Sequence, residues 1–170
     1  MIIYVTGGAR SGKSRFAMDL ALQKSREPVY VATARIWDDD FARRVERHRS
    51  ERGPEWTSWE REKDIAGLPL SGKVAVIDCV TLWLTNLFMD NDQDIERSLS
   101  FFKTEIDELA KTDGVFIIIS NEIGMGVHAE SEVGRQFTDL QGWANQYVAS
   151  VADEAFLMVS GLPLTLKTIA

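Results

Sequence analysis

Short apolar runs alternate along the chain with longer stretches in which apolar residues return every three or four positions. The runs are Ile2 to Val5, Val29 to Ala32, Val74 to Ile77, Val115 to Ile119 and Ala155 to Val159. They have the length of strands, and they are continuous rather than alternating, as in a parallel sheet covered on both faces. The amphipathic stretches Ser14 to Ser25, Asp39 to Arg52, Gln93 to Ala110 and Ser131 to Val151 read as helices. The predicted architecture is α/β, a mostly parallel sheet with helices on both faces. The segment 53–72, with two prolines and three glycines, is the least regular. In such sheets ligands gather at the carboxyl ends of the strands, so the residues after each apolar run are the ones to inspect.

Composition narrows the picture. With 170 residues, 45% hydrophobic and 26% charged, the chain suits one domain spanning 1–170. No apolar run approaches the length of a membrane span, and no secretory signal is expected. A single cysteine, Cys79, forms no intrachain disulfide and fits a reducing cytoplasm. The net charge of −7 argues against nucleic acid as a partner.

Gly7 to Ser14 read GGARSGKS, which satisfies the P-loop pattern of Gly, four residues, Gly-Lys and Ser or Thr. The segment falls between the first apolar run and the first amphipathic stretch, so the context is strand, glycine loop, helix. Glycines let backbone N–H groups close around phosphate oxygens, and the helix dipole adds to the attraction. Lys13 would reach the β and γ phosphates, and Ser14 would place its hydroxyl on a magnesium ion.

Asp78 follows the third run. An acid there either holds magnesium, directly or at second remove, or caps the next turn; the cation that a P-loop requires favours the metal role. Trp83, in the TLWLTN string that follows, is either core or pocket lining. After the fourth run, Ser120 to Glu130 (SNEIGMGVHAE) reads equally as a mobile loop beside the site or as a plain solvent loop, with His128 a surface residue rather than a catalyst.

Between Arg43 and Arg52 lie five arginines against two glutamates in an otherwise acidic chain. On a helix Arg44, His48 and Arg52 share one stripe. Such a stripe suits a triphosphate, and a neutral imidazole can attack phosphorus directly. The bland alternative is a solvated charged face with His48 turned inward.

Taken together, these motifs resemble the bifunctional adenosylcobinamide kinase and adenosylcobinamide-phosphate guanylyltransferase family. The likeness runs through GGARSGKS, VYVATARI at 29–36, the His48-Arg49 helix followed by Trp56, DCVTLWLTN at 78–86, SNEIGMG at 120–126, GRQFTDLQGWANQ at 134–146 and GLPLTLK at 161–167. Two positions depart from the family pattern: VHAES follows Gly126 where a proline-containing stretch is expected, and Thr138 stands in place of an arginine.

The resemblance implies a RecA-like P-loop NTPase fold, Mg2+ as cofactor, GTP and ATP as substrates, and adenosylcobinamide and its phosphate as acceptors. It also implies a homo-oligomer, expected to be a trimer, in the cytoplasm. His48 and Lys13 would be catalytic, with His48 carrying a covalent GMP. Nucleotide would be bound by Gly7, Gly8, Ala9, Arg10, Ser11, Gly12, Lys13, Ser14, Thr33, Arg35, Arg44, Arg49, Arg52 and Asp78, and the metal by Ser14 and Asp78.

A simple P-loop kinase would need the loop and Asp78 but no nucleophilic histidine. A regulatory GTP switch would need an Asn-Lys-x-Asp element after a strand, and the similar string AKTD at 110–113 lacks the Asn and precedes its strand.

Overall fold

A computed structural model describes residues 1–36 and 52–168. One sheet organises them. Its strands are β1 (Ile2–Gly7), β2 (Val29–Ala32), β3 (Thr57–Glu60), β4 (Lys73–Asp78), β5 (Gly114–Asn121), β6 (Glu154–Val159) and β7 (Leu162–Lys167), in the order β3-β2-β4-β5-β1-β6-β7. Every pairing is parallel except that of β6 with β7.

The helices are α1 (Lys13–Lys24), α2 (Val80–Asp90), α3 (Ile95–Lys111) and α4 (Glu132–Val151). They divide between two apolar layers. Ala17 and Ala21 of α1 pack with Ile3, Val5, Tyr30, Val76, Ile117 and Ile119 on one face of the sheet. On the other face, α2, α3 and α4 bring Trp83, Leu84, Phe102, Ile106, Leu140 and Ala144 against Tyr4, Val31, Ile77, Phe116 and Ile118. Successive strand residues thus alternate between layers, both of them apolar, which is why the central runs contain so few polar positions. Among the described residues no helix is long and apolar enough to cross a membrane.

The five expected strands are all present, most of them slightly extended. Gln93 does not begin a helix: Asp92 and Gln93 have φ of 53° and 64°, and Asp94 caps α3 by accepting from the Arg97 N–H at 2.8 Å. Three elements were not anticipated. α2 is hydrophobic on most sides, and its Val80, Trp83, Leu84, Leu87 and Phe88 fill the core. Trp83 is therefore core, its ring 5.0 Å from that of Phe102 in an edge-to-face contact. β3 and β7 are sheet edges whose largely exposed side chains lack the apolar signature of a buried strand. The expected helix 39–52 lies, but for Arg52, outside the described residues.

Candidate active site

Gly7 ends β1 with φ 151°, and a Cβ there would meet the Met158 carbonyl oxygen at 2.5 Å. Gly12 has φ 96°, and its Cβ would approach Gly161 Cα at 3.2 Å. Both glycines are thus demanded by the close passage of the loop against the end of β6 and the turn after it. Two backbone hydrogen bonds fasten that arrangement, Gly161 N–H to Ser11 O at 3.0 Å and Glu122 N–H to Gly7 O at 3.0 Å. The second bond sets the loop after β5 directly beside the phosphate loop.

Gly8, Ala9 and Arg10 form the exposed crest of the turn, with Arg10 at φ 59°. Gly12 caps α1 with no side-chain hydrogen bond, leaving the first-turn N–H groups without a side-chain acceptor. The Ser11 hydroxyl is buried without a hydrogen-bond partner. Lys13, 7% exposed, folds back so that its ammonium donates to Gly8 O at 2.7 Å. Burial lowers the Lys13 pKa, with nearby Cys79 and Asp78 opposing that shift. Positive charge, helix-end N–H groups and a hydroxyl unpartnered among the described residues lie within one short loop, an arrangement suited to polyphosphate.

Asp78 lies beside it. Ala32 pairs with Asp78 and Tyr30 with Val76, so by strand alternation Tyr30 and Asp78 face the α1 side. Ser14 at the start of α1 donates its hydroxyl to Asp78 Oδ2 at 3.2 Å. The Tyr30 hydroxyl donates to the same oxygen, and burial pushes the tyrosine pKa well above its ordinary value, with the carboxylate adding to the effect. Since Ser14 spends its proton on Asp78, its lone pairs remain for a cation. Two hard oxygens at a phosphate loop fit magnesium.

Thr33 and Arg35 have other partners. The Thr33 hydroxyl donates to Cys79 O at 2.8 Å and accepts from the Cys79 N–H at 2.9 Å, clamping the chain after Asp78. Asn86 of α2 donates to Thr33 O at 2.8 Å and to Glu62 O at 3.0 Å. The Arg35 guanidinium donates to Glu62 at 2.6 Å and through two nitrogens to Asp90 at 2.9 and 3.1 Å. Its partners hold the Asp90 carboxyl well below the usual carboxylate range, Arg35 first and Lys63 second. Arg52 lies over the Tyr30 ring, its guanidinium carbon 4.1 Å from the centroid, and its Nε and Nη1 have no hydrogen-bond partner among the described residues.

The structure therefore brings together Gly7 to Ser14, Asp78 and, through Tyr30, Arg52. Arg44, His48 and Arg49 lie outside the described residues. His128 is exposed on the loop after β5. Sequence reasoning passed over Tyr30, whose signal was its alternation onto the Asp78 face, and a buried polar group under the neighbouring loop. In that group Gln141 donates to Ser120 and Asn145, each at 2.9 Å, and Asn145 donates to Asn121 O at 3.2 Å. A groove between α3 and α4, lined in part by Leu99, Trp143 and Tyr147, includes none of these residues.

A strand, a glycine loop and a helix at a sheet's carboxyl edge, with a carboxylate from the end of β4, which β5 separates from β1, define a P-loop nucleotide-binding protein. Residues 3–166 match the family model described as cobinamide kinase / cobinamide phosphate guanyltransferase, and the chain belongs to that family. It is similar to the bifunctional adenosylcobalamin biosynthesis protein CobU of Escherichia coli, at 36% identity over 98% of this chain and 100% of that one. It is likewise similar to CobP of Pseudomonas aeruginosa, at 36% identity over 96% and 95%. CobU of Salmonella typhimurium is 33% identical over 98% and 100%. Among solved structures, the flagellar accessory protein FlaH from Methanocaldococcus jannaschii aligns with a TM-score of 0.49 at 14% identity, over 99% of this chain and 78% of that one.

Proposed function

We propose that this chain phosphorylates adenosylcobinamide and then guanylylates the product, giving adenosyl-GDP-cobinamide. The observation that carries the reading is the pairing of Ser14 with Asp78 at an intact phosphate loop, in a chain that belongs to this family from residue 3 to residue 166.

In the first reaction the acceptor hydroxyl oxygen bonds to the γ-phosphorus, the bond to the bridging oxygen breaks, the nucleoside diphosphate departs and the hydroxyl loses its proton. Lys13 and the N–H groups at the start of α1 hold the phosphates in line and meet their charge. Ser14 and Asp78 would hold magnesium, which when bound would neutralise phosphate charge. By accepting the Ser14 proton, Asp78 also leaves the lone pairs of that hydroxyl for the cation.

In the second reaction a His48 nitrogen bonds to the α-phosphorus of GTP and pyrophosphate leaves. A phosphate oxygen of the phosphorylated acceptor then bonds to that phosphorus as the P–N bond breaks, freeing the imidazole. Arg44, Arg49 and Arg52 supply the charge that the departing pyrophosphate requires. Of these, Arg52 lies over the ring of Tyr30, whose hydroxyl donates to Asp78.

The test is mass spectrometry of adenosylcobinamide incubated with the protein, magnesium and GTP. Gain of one phosphoryl group and then of one GMP group is the expected outcome, with both lost in Lys13→Ala because no phosphorylated acceptor forms. Hydrolysis of GTP with the acceptor unaltered would contradict the reading.

A further inference from the structure

Tyr30 is 4% exposed and held on three sides. Its hydroxyl donates to Asp78 Oδ2, the oxygen that also accepts from Ser14. Trp56 packs edge-on with ring centroids 6.0 Å apart, and the Arg52 guanidinium lies over the ring at 4.1 Å. A buried tyrosine hydroxyl needs an acceptor, and a backbone carbonyl would serve. This one instead takes a carboxylate oxygen beside the phosphate loop.

Two hydroxyl donors on Oδ2 fix the rotation of the carboxylate and leave Oδ1 outside these bonds. The two donors come from different elements, Ser14 from α1 and Tyr30 from β2. Removing either lets the carboxylate turn.

We propose that Tyr30 is a positioning residue of the phosphate site: by donating to Asp78 Oδ2 beside Ser14, it holds Asp78 oriented for the cation that accompanies the nucleotide, and it ties that carboxylate to the chain at Arg52. The inference rests on the reading of Ser14 and Asp78 as cation ligands. It requires no contact between Tyr30 and nucleotide or metal. The effect of Tyr30 on nucleotide binding must therefore pass through the metal and through Asp78.

The test is the affinity of a fluorescent GTP analogue for wild type, Tyr30→Phe, Asp78→Asn and the double variant, each with magnesium and with EDTA. A hydrogen bond to a charged group predicts that Tyr30→Phe loses about 10-fold in affinity with magnesium. In EDTA its affinity equals that of wild type. In the Asp78→Asn background the same change costs nothing further. Trp56→Phe, which perturbs the packing of Tyr30 but not its hydroxyl, leaves the ratio of magnesium to EDTA affinities at the wild-type value. Equal loss in magnesium and EDTA, no loss, tighter binding, or a full additional loss on top of Asp78→Asn would overturn the proposal. Wild-type affinity that is indifferent to magnesium would remove the reading of Ser14 and Asp78 as well, so the two failures are separable.

Discussion

Asp78 and Asp90 are carboxylates with opposite surroundings. Asp90 closes α2 on the surface and is neutralised twice, by Arg35 and by Lys63. Asp78 closes β4 at the phosphate loop, and its hydrogen-bond partners among the described residues are two neutral hydroxyls, those of Ser14 and Tyr30. Hydroxyls orient a carboxylate while leaving its charge uncancelled, whereas a guanidinium and an ammonium consume it. Asp90 is built to hold the segment after β2 against α2, and Asp78 to present a carboxylate beside the phosphate loop. The comparison also separates two sequence expectations that looked alike. Both Arg35 and Asp78 are nucleotide-binding expectations; the structure shows the arginine bonded to Glu62 and Asp90, and Asp78 beside the phosphate loop.

The largest contrast is expected from exchanging each acid for its amide. Asp78→Asn keeps shape and hydroxyl partners but removes the charge, and phosphoryl transfer falls by about 10^2-fold, the order seen when one charge-stabilising group is lost from a reaction centre. Asp90→Asn leaves transfer close to wild type. Initial rates of acceptor-dependent nucleotide consumption check both; similar losses in the two variants would break the comparison.

A smaller effect concerns stability and pH. Asp90 has its carboxyl pKa depressed in the folded protein, chiefly by Arg35. Its contribution is therefore fully present above the ordinary carboxylate value of 3.8 and is lost as pH falls below it towards the folded value. Denaturant titrations of wild type and Asp90→Asn should differ by a constant amount near neutrality and converge below about pH 4. Both partners are partly exposed, so the difference is modest and shrinks with added salt.

Least conspicuous is Cys79, one residue from Asp78. Its thiol is 4% exposed, and burial, with Asp78 adding, pushes its pKa up to about 12. Alkylation at pH 8 should be slow and limited by opening of the structure, then fast in denaturant. Rapid labelling of the native protein would show that the chain between β4 and α2 opens readily, and with it the setting of Asp78.

What could be read from the sequence tracks how local each signal is. Gly7 to Ser14 is a contiguous string whose backbone demands are written in its own residues, and the central strands declared themselves by continuous apolar runs. Asp78 was found because it ends such a run. Tyr30 could not be singled out in the same way, because its meaning depends on β2 pairing with β4 in the register that sets Ala32 opposite Asp78. The Thr33 hydroxyl bonds the Cys79 backbone, a long-range partner invisible to spacing. α2 escaped notice because it is apolar on most sides, and β3 and β7 because sheet edges carry no buried-strand pattern.

The central claim, that this phosphate loop serves a guanylyltransferase as well as a kinase, is tested most directly with GTP labelled at the α-phosphorus. Purified protein, magnesium and labelled GTP are mixed, and acid-labile, alkali-stable label on the chain is measured beside His48→Ala. The account predicts label on the wild type, none on the variant, and its transfer to phosphorylated adenosylcobinamide on addition of that acceptor. Absence of label from both proteins, under conditions where GTP is consumed, would contradict it and leave a kinase alone.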